Sequence, residues 1–169
     1  GNALRPVEKV SRYDCQNFIS KLNELTGESF HLPSEAQWEF AARGGDKSRG
    51  YLYSGSNSLG DVAWYEGNSG NKTHAVKTKS PNELGIYDMS GNVWEWCSDW
   101  LAPYTAEAQL NPTGPATGEC HVYHGGGWAY EQNFCRSSYR RISINGYVQQ
   151  ALGLRVVLRE KVEPEYVDL

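Results

Sequence analysis

Neither a long apolar run nor an excess of basic residues occurs in this chain of 169 residues. No stretch has the roughly 20 apolar residues that a bilayer-spanning helix needs, and the first residues do not resemble a signal peptide. The chain has 16 lysines and arginines and 20 acidic residues. The resulting net charge of -4 does not indicate a basic surface that would bind nucleic acid or an anionic membrane. A mature or trimmed chain would share these absences, so they assign no compartment.

Paired cysteines at a recognisable spacing are also missing. The four cysteines are Cys15, Cys97, Cys120 and Cys135. An even number permits two disulfides, but these spacings match no disulfide framework and no zinc site. We therefore predict free thiols, mostly buried as small apolar residues.

Familiar catalytic arrangements are missing as well: no Ser-His-Asp pattern, paired-carboxylate signal or phosphate-cradling glycine loop is found. His121 and His124 stand three apart beside Cys120, but on a strand an odd separation directs side chains to opposite faces. His31 and His74 stand alone. We expect all four histidines to be surface or hydrogen-bonded residues rather than metal ligands.

Glycine and large aromatic residues are abundant. Eighteen Gly, six Trp and eleven Tyr predict a loop-rich fold with turns set by glycine and a core filled by large rings. The length suits one domain. Two helices are predicted near the start, each opened by a capping box. The boxes are Ser11 with Asp14 and Ser34 with Gln37, and the helices should stop at Gly27 and at Gly44 with Gly45.

Strand signals dominate the second half. Alternation over 93–97 places Val93, Glu95 and Cys97 on one face and Trp94 and Trp96 on the other. Residues 122–128 and 153–158 are also predicted strands. Turns and short strands are expected over 50–79, a surface loop over 111–118 and a polar tail over 160–169.

Residues 125–158 form the most informative segment. It begins and ends as strand sequence, but its middle mixes Tyr, Phe, Arg, Asn, Ser and Gln without a periodicity that would bury one face. Such mixtures on a rigid support are typical of binding surfaces, because aromatic rings supply contact area at low entropic cost. The segment therefore predicts a protein that holds a ligand.

Six phrases together resemble one family, the formylglycine-generating enzymes or sulfatase-modifying factors. They are LPSEAQWEFAARGG (32–45), NELGIYDMSGNVWEWCSDW (82–100), NPTGP (111–115), GGGW (125–128), CRSSYR (135–140) and LGLRV (152–156). They occur in the family's order and cover nearly the whole chain from residue 6 to 157. The resemblance implies an α+β, C-type-lectin-like fold, with a small twisted mixed sheet, two helices and extensive irregular loops.

The resemblance also implies a domain organisation. Residues 1–158 would form one lectin-like domain and 159–169 a polar C-terminal tail. Family members usually carry further strands before the segment that residues 5–11 match. We therefore expect a shortened version of the domain or a fragment.

The family's enzymes oxidise a substrate cysteine with copper held by two cysteines five residues apart, since soft thiolates suit Cu(I). Alignment on GGGW places the second cysteine at Cys135 and the first at Tyr130, whose phenol cannot replace a thiolate. Cys120 precedes the strand and is a poor substitute. The resemblance thus implies a non-enzymatic member. The alternative is a formylglycine-generating, oxidase-like enzyme acting on a peptidyl cysteine.

A structural calcium ion is the one cofactor that the resemblance suggests. Asp88, Val93 and Glu95 match family calcium positions, and two carboxylates with a backbone carbonyl suit a hard cation. Equally, Asp88 would cap the turn and Glu95 would pair with an arginine or a backbone amide. A second family calcium position requires Asn where this chain has Trp64.

The chain is similar to a non-catalytic branch, the variable proteins of bacterial and phage diversity-generating retroelements, with treponemal members the nearest in pattern. In that branch, mutagenic reverse transcription randomises adenines in a C-terminal cassette. The implied ligand-binding residues are Trp128, Tyr130, Phe134, Tyr139, Arg141, Ile142, Ser143, Ile144, Tyr147 and Gln149. Alternatively, half of the aromatic residues belong to the core, or the domain binds one fixed partner without diversification.

The same resemblance implies a class of ligand and a cellular location. We expect a protein ligand on another cell or host, because the segment is broad rather than a single pocket, and an extracytoplasmic or cell-surface location. A lectin-like fold does not by itself imply carbohydrate. Neither nucleic acid nor direct membrane insertion is expected.

Overall fold

The computed structural model describes residues 2–159 and contains three α-helices, six short strands and two 3-10 turns in that range. The helices are α1 (Arg12–Thr26), α2 (Glu35–Ala42) and α3 (Leu59–Val62). The strands are β1 (Phe30–His31), β2 (Trp94–Trp100), β3 (His121–His124), β4 (Arg140–Ser143), β5 (Leu152–Gly153) and β6 (Val157–Leu158). The predicted tail over 160–169 lies outside the described residues.

Both predicted helices begin where their capping boxes stand. The Ser11 hydroxyl accepts the Asp14 amide at 3.2 Å, and the Asp14 carboxylate accepts the Ser11 amide at 2.8 Å. Ser34 and Gln37 make the same reciprocal pair at 3.1 and 2.9 Å. Each box satisfies two amides that a helix start leaves unpaired. α1 then stops at Gly27, whose φ of 70° is left-handed.

Four strands form the central sheet in the order β4-β3-β2-β5. The β2/β3 and β3/β4 pairs are antiparallel, whereas β2 and β5 are parallel. β1 and β6 form a separate antiparallel pair. The mixed sheet with flanking helices and long irregular connections is the predicted α+β, lectin-like architecture.

The central sheet separates two unlike faces, because successive strand residues point to opposite sides. The registers place Trp94, Trp96, Tyr123 and Arg141 on one side, here called the aromatic face, and Glu95, His124 and Arg140 on the other, the ionic face. Residues of α1 pack against the aromatic face and residues of α2 against the ionic face. α1 thus packs on a face of aromatic side chains, and α2 on a face that carries charged side chains.

Several predicted boundaries were wrong. The strand predicted over 122–128 ends at His124, because Gly125 and Gly126 adopt φ values of 101° and 73° that a strand cannot continue. The strand predicted over 153–158 is two strands in different sheets, β5 and β6. β2 runs on to Trp100, and the short helix α3 falls within the 50–79 segment predicted to lack helices.

One missed strand matters for function. β4 lies inside the segment that the sequence presents as irregular, and it pairs residue by residue with β3 from His121–Ser143 to His124–Arg140. In the part of the chain that the structure describes, no helix is long and apolar enough to cross a membrane.

Candidate functional site

A glycine turn delivers the chain to the candidate site. After β3, Gly125 and Gly126 turn the backbone with positive φ. A Cβ at Gly126 would lie 2.5 Å from the Cys135 Sγ, so only glycine lets the turn pack on the following 3-10 turn (Gln132–Cys135). This close approach fixes the segment that carries Tyr130 and Phe134.

Half-buried rings then gather over the aromatic face. Tyr130 meets the buried Trp94 edge-on at a centroid distance of 5.3 Å, and Phe134 contacts Tyr130 at 5.7 Å and Tyr139 at 5.0 Å. Beneath them, Tyr123 meets Trp94 edge-on at 5.3 Å. These edge-to-face contacts are the geometry that aromatic pairs favour. The rings form a continuous surface on a packed support.

Arg141 lies among these rings. Its guanidinium carbon is 5.6 Å from the Trp94 centroid, 5.4 Å from Tyr130 and 5.9 Å from Phe134. All three distances fall within cation–π range. Among the described residues, none makes a hydrogen bond or an ion pair with the Arg141 guanidinium.

A small polar group adjoins the rings. Tyr130 and Tyr147 both donate their phenolic hydroxyls to the Gln149 Oε1, at 2.9 and 3.1 Å. The buried Gln149 Nε2 makes no hydrogen bond of standard geometry among the described residues, although it approaches the Tyr123 phenol closely enough to act on the Tyr123 pKa. We call Tyr130, Phe134, Tyr139, Arg141, Tyr147 and Gln149 together the aromatic–arginine site.

Four predicted binding residues do not join the aromatic–arginine site. Trp128 is tied instead to the N-terminal segment, where its Nε1 donates to the Glu8 carboxylate at 2.9 Å. Ile142 is 42% exposed but pairs with Val122, so it projects from the ionic side of β4. Ser143 shares the side of Arg141 at the far end of the strand, opposite His121, and Ile144 is exposed beyond the strand. The ten predicted residues thus do not form one flat patch.

The rings also serve the core. Tyr130, Phe134 and Tyr139 pack against a buried cluster that includes Trp94, Tyr123 and Leu152. The alternative placed half of the aromatic residues in the core. These three rings are partly buried, so each has one side against the core and another side exposed. Burial raises the pKa of Tyr123 to about 12, so this supporting phenol stays neutral. The sequence prediction missed Tyr123, although its position inside a predicted strand was the available signal.

A buried ion cluster on the ionic face was not predicted. The Glu35 Oε1 accepts Arg140 Nε at 2.8 Å, and the Glu35 Oε2 takes a second bond of 2.5 Å from the same guanidinium. His124 Nε2 lies 2.7 Å from Glu35 Oε1, and Tyr104 donates to that oxygen at 3.0 Å. Burial alone would raise the Glu35 pKa, but His124 and Arg140 outweigh it and lower it to about 2.

Cys135 lies apart from Tyr130. Its side chain is fully buried and packs with Tyr53, Leu59 and Val62, whereas Tyr130 packs with Trp94 on the aromatic face. Burial raises the pKa of the Cys135 thiol to about 12. The thiol is therefore protonated at neutral pH and is not poised as a nucleophile.

The other thiols and the histidines have structural surroundings. All four cysteines are free, and only Cys120 is not fully buried. His121 and His124 are buried rather than at the surface, and both are hydrogen-bonded. His74 bonds the Ser69 carbonyl at 2.7 Å. The prediction of hydrogen-bonded histidines is therefore confirmed for these three.

The predicted calcium position holds an ion pair. Arg155 donates to both Glu95 oxygens at 2.9 and 2.8 Å, which matches the alternative predicted for Glu95. One Asp88 oxygen accepts the Lys77 amide at 2.8 Å, while the other is buried and has no hydrogen-bond partner within residues 2–159. Because a guanidinium already holds Glu95, this donor set does not fit calcium as arranged. Calcium at Asp88, Val93 and Glu95 would have to displace Arg155 from Glu95 and stays a prediction.

The sheet, its irregular connections and the glycine turn under the site define a lectin-like domain of the sulfatase-modifying type. Comparison with known proteins agrees: the model of the sulfatase-modifying factor enzyme 1-like domain matches residues 1–160. The chain belongs to this family.

Two curated relatives differ in their names. The chain is 40% identical over 147 residues to the chaperone protein LppX of Paenibacillus barcinonensis, covering 76% of this chain and 49% of that protein. It is 37% identical over 150 residues to the formylglycine-generating enzyme of Streptomyces coelicolor, covering 80% and 46%. The chain thus spans about half the length of the curated relatives it matches.

The structural comparison finds a similar variable protein. Treponema denticola variable protein 1 superposes with a TM-score of 0.88 at 32% identity, covering 95% of this chain and 73% of that one. The predicted likeness to both the enzymes and the variable proteins is confirmed.

Proposed function

We propose that this domain is a non-enzymatic ligand-binding protein that presents a variable C-terminal surface on a lectin-like scaffold. The aromatic–arginine site carries the proposal, because half-exposed rings and an unpaired arginine lie on a rigid sheet without a catalytic group among them. Tyrosine, phenylalanine and arginine are the residues that anchor protein interfaces. The likeness to the treponemal variable protein supports the same function.

The supporting structure explains how such a surface tolerates change. Trp94, Trp96 and Tyr123 are buried beneath the site and take their contacts from the core. Substitutions at Tyr147, which is 37% exposed, or at Ile144, which is 59% exposed, would leave that core intact. A rigid frame beneath adaptable residues is the arrangement that binding loops use.

The formylglycine-generating relative favours a second candidate, a copper-dependent oxidase. The surroundings of Cys135 support the non-enzymatic function instead. Its thiol is buried among apolar side chains, and the aligned partner position holds Tyr130, which packs in another cluster. Two thiolates are needed to hold Cu(I) in that chemistry. We infer a protein ligand and an extracytoplasmic or cell-surface location from the resemblance to the variable proteins.

Sequencing the gene in a growing population tests the diversification. We expect substitutions at template adenines, in codons for site residues such as Tyr130 and Tyr147, together with a nearby template repeat and a reverse transcriptase gene. The codons for Arg140 and Cys135 are matched controls in the same segment and should stay constant, since both residues are built into the core. A locus with neither repeat nor adenine bias would contradict diversification and leave a fixed-partner domain.

Copper titration separates the binder from the oxidase. The reduced protein and a Cys135→Ser variant would be titrated with Cu(I) against a competing chelator. We expect no stoichiometric binding that depends on Cys135. Tight binding of one copper that is lost in the variant would support the oxidase and overturn our proposal.

A further inference from the structure

Arg141 differs from the other arginines that are partly buried in the domain. Arg140 is paired with Glu35, and Arg155 with Glu95. Arg12 donates to the Ser98 carbonyl at 3.0 Å. Arg141 is half-buried too, but within residues 2–159 its five N–H donors meet no acceptor.

Aromatic contacts do not replace an acceptor. The three rings around Arg141 attract its charge, but they also remove water from one side of the guanidinium. Charge that is partly desolvated and unpaired is costly, and a charge-assisted hydrogen bond is strengthened in the same surroundings. The site is therefore better completed by an anion than by a neutral group.

A neighbouring donor supports this reading. Because Tyr130 and Tyr147 both donate to the Gln149 Oε1, the Gln149 amide directs its nitrogen, a hydrogen-bond donor, towards the remaining part of the site. That Nε2 is buried and makes no hydrogen bond of standard geometry among the described residues, although its approach to the Tyr123 phenol acts against the burial that raises the Tyr123 pKa. The Arg141 guanidinium and the Gln149 amide are both donors and therefore favour a hydrogen-bond acceptor.

We propose that the ligand presents a carboxylate, from an aspartate or glutamate side chain of a protein, which pairs with Arg141 while neighbouring apolar residues pack on Tyr130 and Phe134. This inference rests on the proposed binding function. A planar guanidinium matches a carboxylate through two parallel bonds. A phosphate dianion would call for more cations, whereas Arg140 faces the other side of the strand.

The neighbouring charges are compatible with such a ligand. Arg136 stands 5.8 Å from the Tyr139 centroid and donates to the Asn133 carbonyl, so it adds positive charge at the rim. Two exposed carboxylates lie near Tyr130: Glu131 follows it in sequence, and the Glu66 amide donates to its carbonyl. Neither carboxylate pairs with Arg141. The guanidinium is left available.

Selection from a displayed random peptide library tests the inference. The full chain would be the target, with Arg141→Gln, Arg141→Lys, Arg136→Gln and Tyr130→Ala variants measured in parallel and the unfolding of all five proteins compared. Each selected peptide would be measured beside a copy in which its acidic residue becomes the matching amide. A panel of acidic and neutral monosaccharides would be titrated alongside.

We expect peptides with an acidic residue at a fixed position, next to apolar residues. The amide copy, and separately Arg141→Gln, should each weaken binding by about 10- to 100-fold. Arg136→Gln should change it only slightly, and Arg141→Lys, which keeps the charge without the fork, should fall between.

Three outcomes would overturn the inference. Peptides that need Tyr130 but show no acidic preference would contradict the carboxylate and leave the binding function standing. Arg141-dependent binding of acidic sugars in place of peptides would reassign the ligand class. If neither peptides nor sugars bind in a way that depends on Tyr130, the binding function fails as well.

Discussion

Arg140 and Arg141 are neighbours on β4, yet their surroundings are opposite. Arg140 enters a largely buried cluster in which the Glu35 carboxylate bonds Arg140, His124 and Tyr104. Arg141 points to the other side, among aromatic rings, and has no acceptor in the described chain. Two neighbouring residues of one strand thus differ in how far folding satisfies their charge, and the carboxylate ligand that we propose would complete the pairing of Arg141.

The comparison extends to the two faces of the sheet. On the ionic face, the carboxylates of Glu35 and Glu95 are paired, as Glu95 is with Arg155 and with the Trp38 indole, although the buried His124 Nδ1 has no described partner. On the aromatic face, rings are shared between the core and the surface, and the polar groups at the outer edge are incompletely bonded. Both faces contribute to the core, and the proposed function assigns the incompletely bonded edge of the aromatic face to recognition.

The largest predicted effect comes from breaking the ion cluster. Glu35→Gln keeps the side-chain volume but leaves Arg140 partly buried without its counter-charge, so we expect the free energy of unfolding to fall by about 3–5 kcal/mol. Glu39→Gln on the same helix is the control. It removes only a partly exposed pair with Arg43 and should cost at most about 0.5 kcal/mol. Denaturant unfolding measures both, and equal losses would break the comparison.

Acid should destabilise the fold in two steps. Burial lowers the pKa of His121 from 6.5 to about 4, so the unfolded chain gains its proton first and stability falls as pH drops from about 6.5 to 4. The lowered pKa of Glu35 means that its contribution is present above about 4.5 and is lost as pH falls towards 2. Each step should be worth roughly 2–3 kcal/mol.

Unfolding curves recorded across this pH range check both steps. His121→Asn retains a donor for the Asp99 carbonyl, which the ring now bonds at 2.9 Å, and it should flatten the upper step alone. An unchanged slope between pH 6.5 and 4 would show that another group titrates there.

The smallest effects come from two matched phenols. Tyr104 donates to the charged Glu35 at 3.0 Å, so Tyr104→Phe should cost about 1 kcal/mol. Tyr147 is less exposed than Tyr104, at 37% against 68%, but it donates to the neutral Gln149 at 3.1 Å, so Tyr147→Phe should stay within about 0.5 kcal/mol because its acceptor carries no charge. Thermal unfolding compares the two variants. A larger loss of stability in Tyr147→Phe than in Tyr104→Phe would show that Tyr147 stabilises the fold.

Local signals in the sequence predicted local structure well. Both capping boxes start helices, and the alternation around Trp94 and Trp96 marks β2. β4 was missed because its strand character comes from pairing with β3, and the sequence RRIS has no clear alternation. The formation of β4 depends on its contacts with β3 rather than on the intrinsic strand propensity of its residues.

The candidate site was predicted in part for the same reason. Composition identified the segment and most of its rings, but a list of residues does not say which side of a strand each one occupies. Ile142 and Arg141 are adjacent and point apart. The partner of Arg140 is Glu35, which is 105 residues away, and no spacing within the segment predicts that pair.

One paired measurement tests the account most directly. Arg140→Gln and Arg141→Gln would each be measured for free energy of unfolding and for affinity towards a library-selected peptide. We predict that Arg140→Gln costs about 3 kcal/mol of stability, while Arg141→Gln costs at most about 1 kcal/mol and weakens the peptide by about 10-fold or more. If Arg141→Gln destabilised the fold as much as Arg140→Gln and left peptide binding unchanged, the aromatic face would be structural and the account would be contradicted.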